Sequence, residues 1–107
     1  MNDFVQIVTT TERQEDARRI ADLLVEKRLA ACVQIAGPVT SVYRWQGKVE
    51  SAQEWQCQIK TRQALLDDVS EAIREVHPYE VPEIIALPIV AGSRDYLVWL
   101  EEQTGAE

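Results

Sequence analysis

The sequence predicts an α+β domain in which strands and helices follow the order βαββαβ and one further helix closes the chain. Three observations lead there. Two segments repeat apolar residues at helical spacing, and each is lodged between apolar runs of strand length. A turn signal, Gln46-Gly47-Lys48, joins two long strand-like runs into a hairpin. The segment His77-Pro78-Tyr79-Glu80-Val81-Pro82-Glu83 is forced by its prolines into an extended, kinked course and leads into the apolar Ile84-Ile85-Ala86-Leu87-Pro88-Ile89.

Taken in order, residues 3–10 form a first strand with Phe4, Val5, Ile7 and Val8 apolar. Thr11, with Gln14 three positions on, matches a capping box, and Glu12, Glu15 and Asp16 suit the positive end of a helix. Ala17, Ile20, Ala21, Leu24 and Val25 then recur on one helical face, and Lys27 and Arg28 sit where the C-terminal dipole favours cations. A second strand over 31–45 is interrupted at Gly37-Pro38, a bend or bulge signal. The returning strand over 49–61 alternates Trp55, Cys57 and Ile59 with Glu54, Gln56, Gln58 and Lys60, so one face is apolar and the other polar. Residues 63–76 form the second helix, with Leu65, Leu66, Val69, Ala72, Ile73 and Val76 on its buried side, and Pro78 ends it. A buried strand over 84–90 follows, then Gly92-Ser93 and a short helix containing Tyr96, Leu97, Trp99 and Leu100.

This order is the split βαβ arrangement of ferredoxin-like domains. Right-handed crossovers place both main helices on one face of a four-stranded antiparallel sheet. The hairpin, roughly thirty residues in all, is long by ordinary strand lengths. Two helices do not cover it, so Val39, Val42, Tyr43, Trp45 and Trp55 would leave apolar area in water in a monomer. Long edges are normally paired or covered. The hairpin is therefore expected to join neighbouring subunits.

At 107 residues the chain makes one domain, residues 1–107. No apolar run approaches the ~18 residues of a membrane helix, so no membrane partner is expected. The start, Met1-Asn2-Asp3, has neither a basic region nor an apolar leader, which points to a cytoplasmic protein. Cys32 and Cys57 are too few for a disulfide framework and read as reduced thiols, either separate or neighbours across the hairpin. A net charge of −7 argues against nucleic acid, which requires a basic surface. Catalysis is not expected either. There is no phosphate-cradling glycine loop and no GxSxG elbow, and Thr9-Thr10-Thr11-Glu12 lacks the glycines and the basic residue that a phosphate site needs.

Five separated motifs then resemble one family. They are Arg28-Leu29-Ala30-Ala31-Cys32-Val33, Tyr43-Arg44-Trp45-Gln46-Gly47-Lys48, Ile59-Lys60-Thr61, His77-Pro78-Tyr79 with Pro82-Glu83-Ile84, and Tyr96-Leu97-Val98-Trp99-Leu100. Together they are similar to the CutA family of divalent-cation tolerance proteins, over nearly the whole chain. The resemblance implies a ferredoxin-like subunit and a tight homotrimer built through the long hairpins. It also implies a PII-like assembly without the long ligand-binding loop of the PII signalling proteins, and an association with divalent-cation (copper) tolerance.

Two kinds of site are open to these residues. Borderline and soft divalent ions such as Cu²⁺ want imidazole and thiolate, usually three or four ligands. The chain offers one imidazole, His77, with Val76 rather than a second histidine before it, and no thiol at Thr9 or Thr10. His77 is thus the metal candidate, in a site assembled by several subunits. The alternative has it capping the second helix through the dipole. The second kind of site is a small-molecule cleft between subunits, as in a PII-like sensor of an anionic or zwitterionic ligand, with Tyr43, Trp45, Glu54, Lys60, His77 and Tyr79 as its candidate lining. Glu54 and Lys60 are an even number of residues apart and share a strand face. The alternative leaves them a solvated pair. Cys57 reads as a core residue, and the facing of Cys32 is undecided.

Overall fold

The computed structural model describes residues 3–105, so Met1 and Asn2, where the absence of a leader was read, lie outside the described residues. The chain runs β1 (Phe4–Thr11), α1 (Gln14–Glu26), β2 (Cys32–Trp45), β3 (Lys48–Arg62), a 3₁₀ turn (Gln63–Leu65), α2 (Leu66–Val76), β4 (Ile85–Ile89) and α3 (Arg94–Gln103). The sheet order is β2-β3-β1-β4 with every pairing antiparallel, the ferredoxin-like arrangement that the element order predicts. No helix among the described residues is long and apolar enough to cross a membrane.

The two periodicities of the sequence meet in the core. Val5 and Ile7 of β1 and Cys57 and Ile59 of β3 point to one sheet face, where Ala17, Ile20 and Leu24 of α1 and Val69, Ala72 and Ile73 of α2 close over them. Phe4 and Val8 have the opposite parity and are buried outside this cluster, as is Leu100 of α3. That second face is where α3 docks. Ser93 caps its start, accepting from the Tyr96 amide (3.4 Å). Its end lacks a basic residue of its own, and two arginines from elsewhere take its carbonyls. Arg62 donates through Nε to the Thr104 carbonyl (2.8 Å) and hydroxyl (3.1 Å), and through Nη2 to the same carbonyl. Arg28 donates to the carbonyls of Glu102 (2.5 Å) and Gly105 (3.2 Å).

Four local expectations are corrected. Thr11 does not cap α1: β1 runs one residue further than its apolar pattern, pairing Thr11 with Trp55, and the Thr11 hydroxyl instead donates to the Arg13 carbonyl (2.8 Å). Val25 is 44% exposed, because Leu24 beside it takes the position that faces the core. Arg28 does not answer its own helix dipole; it adopts φ 59°, the left-handed position just past a helix end, and its guanidinium serves α3. The strand expected to be buried is an edge strand. β4 pairs with β1 alone, and Ile85 and Leu87 lie half-exposed on the face away from α1 and α2.

The hairpin has two parts. β1 accompanies β3 only from Arg62 back to Trp55, so residues 39–45 and 48–54 project beyond the four-stranded sheet as a two-stranded arm. The register slips between Ala36 and Val39, at the cis Gly37-Pro38 step, where the arm leaves the sheet. At the tip, Gln46 (φ 51°) and Gly47 (φ 81°) make the primed two-residue turn that matches strand twist. Gly37 is required by close approach: a Cβ there would lie 2.7 Å from Trp55 Cε3 and 3.0 Å from Cδ2.

Gly37→Ala is therefore expected to destabilise the protein by about 1–3 kcal/mol, the range of overpacked sites. The Trp55 ring would have to leave the arm junction. A urea denaturation midpoint equal to that of the wild type would show that the contact constrains nothing.

Candidate functional site

The 78–83 segment, bent over residues 78–81 rather than extended throughout, returns from α2 along the base of the arm, and between the two lies a cavity of about 730 Å³. Thr10 at the end of β1, Ser41, Val42, Tyr43 and Trp45 of β2, Glu54 of β3, and Tyr79, Glu80, Val81, Pro82 and Glu83 line it. Its existence follows from the length mismatch between β1 and the hairpin, which leaves one side of the arm without a neighbouring strand.

His77 holds this arrangement together from behind. Its amide ends α2 by donating to the Ile73 carbonyl (2.8 Å). Its ring, 8% exposed, uses both nitrogens. Nδ1 accepts from the Tyr79 amide (3.1 Å), which assigns the ring proton to Nε2, and Nε2–H donates to the Thr10 carbonyl (2.8 Å). The imidazole is thus a neutral bridge from β1 to the proline-framed segment. It does not turn back to cap its own helix, because the Thr10 carbonyl at the strand end is the acceptor within reach.

Tyr79 comes out of this bridge with its backbone fixed and its ring against His77 (centroids 4.8 Å, 55° between planes). Its hydroxyl donates to Glu54 Oε2 at 2.7 Å. Burial, and then the Glu54 carboxylate, raise the phenol pKa well above its ordinary value, so the hydroxyl stays protonated and remains the donor.

Of the residues named from sequence, the structure gathers Tyr43, Trp45, Glu54 and Tyr79 around one cavity, with His77 beneath them. Lys60 is not among them. It donates to Gln34 Oε1 on β2 (2.7 Å), and its six-residue distance from Glu54 along β3 is roughly 20 Å by strand rise. Thr10, Glu80 and Glu83 enter the cavity wall without having been singled out. The two prolines around Glu80 and Val81 were the signal, since a rigid segment delivers its side chains to a fixed place. The charged groups of the lining are all carboxylates, Glu54, Glu80 and Glu83.

The thiols stand apart from this site and from each other. Cys57 lies in the core, its thiol donating to the Ala17 carbonyl (3.5 Å), and burial pushes its pKa up to about 11. Cys32 pairs with Lys60 and Cys57 with Ile35, so the two are not cross-strand neighbours, and both are free. Val33 and Ile35 pack on the core, which turns Cys32 to the α3 face, near Tyr96. Among the described residues no three His, Cys, Asp or Glu side chains converge to hold a metal ion.

Residues 5–103 match the family described as "CutA1 divalent ion tolerance protein". The "Divalent-cation tolerance protein CutA" of Thermus thermophilus is 50% identical over 99 residues, covering 92% of this chain and 96% of that protein. "Protein CutA, chloroplastic" of Arabidopsis thaliana is 44% identical over 100 residues, 94% of this chain but 55% of that protein, so the chain spans about half the length of this plant relative. The crystal structure of CutA1 from Oryza sativa superposes with a TM-score of 0.95 at 40% identity, covering 99% of this chain and 97% of that one. The chain belongs to the CutA1 divalent ion tolerance family.

Tyr79→Phe removes a charge-assisted hydrogen bond in a part-exposed setting and is expected to lower stability by about 1 kcal/mol. Its pH dependence has a definite sign. A phenol whose pKa is raised on folding stabilises below its unfolded value, about 10, and loses that contribution as pH rises further. The stability gap between wild type and variant should shrink above pH about 10. A gap that widens there in chemical denaturation would contradict the assignment of the phenol as donor.

Proposed function

We propose that this member of the CutA1 family serves divalent-cation tolerance as a cytoplasmic homotrimer, acting by binding rather than catalysis. The observation that supports the assembly is the unaccompanied arm. A two-stranded ribbon is marginal by itself in water. This one exposes Val42, Tyr43, Trp45 and Val49, while the β4 edge exposes Ile85 and Leu87 and α3 exposes Val98 and Trp99. Neighbouring copies that cover these surfaces gain stability in proportion to the apolar area removed from water. The free cysteines suit a reducing compartment.

The donors of one subunit do not fit Cu²⁺. No three ligands converge among the described residues, and His77 would have to release Thr10 or the Tyr79 amide to coordinate. In this reading divalent ions are met by residues from more than one copy. A second reading, a PII-like sensor that binds a small molecule in clefts between subunits, is supported by the cavity that each subunit brings to the base of the arm, whose volume falls in the range of small-molecule sites, about 300–1,000 Å³.

Sedimentation equilibrium is expected to give a trimer at all working concentrations, and Trp45→Glu to weaken it; a folded monomer would overturn the assembly. For copper, calorimetric titration should give the same Cu²⁺ affinity for the wild type and His77→Gln. Loss of binding in a folded His77→Gln protein, together with release of the ion on acidification, would return the site to the imidazole.

A further inference from the structure

We propose that His77 is an acid-sensitive latch: its neutral ring ties the 78–83 segment to the end of β1, and protonation at Nδ1 releases that segment and opens the cavity wall it forms. The inference goes beyond the sensor reading. It depends neither on a ligand nor on the number of copies, because every group of the latch belongs to one subunit. It starts from how the segment is attached. Among the described residues, 78–83 make no backbone–backbone hydrogen bond. The hydrogen bonds of the segment run through Tyr79, from its amide to His77 Nδ1 (3.1 Å) and from its hydroxyl to Glu54 Oε2 (2.7 Å). His77 carries the first of these on to the sheet, through Nε2–H and the Thr10 carbonyl (2.8 Å).

Only a neutral imidazole serves both bonds, since Nδ1 must offer a lone pair to the Tyr79 amide. Once protonated, Nδ1 is a donor aimed at a donor, in a buried ring that water reaches poorly. Attraction of the imidazolium to the Tyr79 ring, 4.8 Å away, does not relieve this conflict, because the amide is what faces Nδ1. Glu12 past β1, Glu54 on β3 and Tyr43 on β2 act on the Tyr79 phenol. Arg74 and Glu75 precede the ring on α2, Glu80 and Glu83 follow it on the segment, and Asp16 of α1 is engaged by Arg19 (3.1 Å). Among the described residues none of these groups bonds the ring, so no carboxylate receives Nδ1–H. The element that yields is the segment, where Glu80 and Val81 are exposed. Withdrawal of the Tyr79 backbone takes its hydroxyl from Glu54 and removes residues 79–83 from the cavity wall. The latch is closed above the range in which imidazoles take up a proton, about pH 5–8, and opens as pH falls through it.

The test is nitrogen-15 NMR of the labelled full chain, titrated from about pH 8 to about pH 5. The ring nitrogens of His77 and the Tyr79 amide are expected to move together in one single-proton step. Order parameters of the Tyr79 and Glu80 amides should fall from about 0.85 to below about 0.6, while Ile59 and Ile73 in the core stay rigid. In His77→Gln no ring takes up a proton, so these amides should not change over the same range. Glu54→Gln should keep the transition. An equal transition in His77→Gln, or its loss in Glu54→Gln, would assign it to the carboxylates and overturn the proposal. Where His77→Gln fails to fold, the wild-type titration decides by itself. A ring that stays neutral at about pH 5 would overturn the latch, and so would a ring that protonates while the Tyr79 amide and its order parameter stay as they were.

Discussion

The ladder between β1 and β3 ends where Thr11 faces Trp55, while β2 and β3 continue together. This mismatch in strand length organises the molecule. Up to that rung the hairpin has a neighbour on one side and helices over one face, and its apolar alternation is absorbed into the core. Beyond it Val42, Tyr43, Trp45 and Val49 are exposed in the subunit, while the 78–83 segment lies along the base of the arm. The register slip at Gly37-Pro38 sits at the boundary, and Trp55 fills the space that the missing Cβ of Gly37 leaves. A strand that outruns its sheet leaves an open edge, and open edges of this length are normally paired.

The same mismatch makes room for the proline-framed segment. Pro78 and Pro82 restrict its backbone, but that restriction alone does not place it. Placement comes from His77, which bonds the strand end at Thr10 on one side and the Tyr79 amide on the other. A neutral imidazole is suited to this role because one nitrogen donates while the other accepts. The bridge is buried, so exchanging either partner for water is unfavourable, and the Tyr79–Glu54 hydrogen bond rests on that fixed frame.

The two faces of the sheet carry different chemistry. The α1–α2 face is a dry apolar core, where Cys57 has its pKa raised by burial and behaves as a small hydrophobe. The other face is partly covered by α3, whose C-terminal carbonyls are taken by Arg28 and Arg62 from distant parts of the chain. Those arginines are used as structural donors, as Lys60 is in its bond to Gln34. The wall of the cavity carries carboxylates and aromatic rings.

Sequence by itself determined the elements, their order and the fold. Strand and helix periodicities, the Gln46-Gly47 turn and the helix stop before Pro78 are local properties of the chain, and the sheet topology follows from chirality and short connections. Four of the residues that line the cavity, Tyr43, Trp45, Glu54 and Tyr79, stand out in the sequence, Glu54 by strand parity, Tyr79 by proline constraint, and Tyr43 and Trp45 as aromatic residues of the long hairpin. Which polar groups meet was decided only by the tertiary structure. Tyr79 reaches Glu54 across 25 positions and His77 reaches Thr10 across 67, and both contacts depend on where β1 stops. The extra rung at Thr11 gave that residue to the sheet rather than to a helix cap, and β4 lay exposed because its place at the sheet edge gave it one neighbour. Glu54 and Lys60 share a face, as the even spacing requires, yet rise along the strand carried them into different surroundings. Periodicity fixes the direction of a side chain, while the partner it finds depends on the lengths and packing of the other strands.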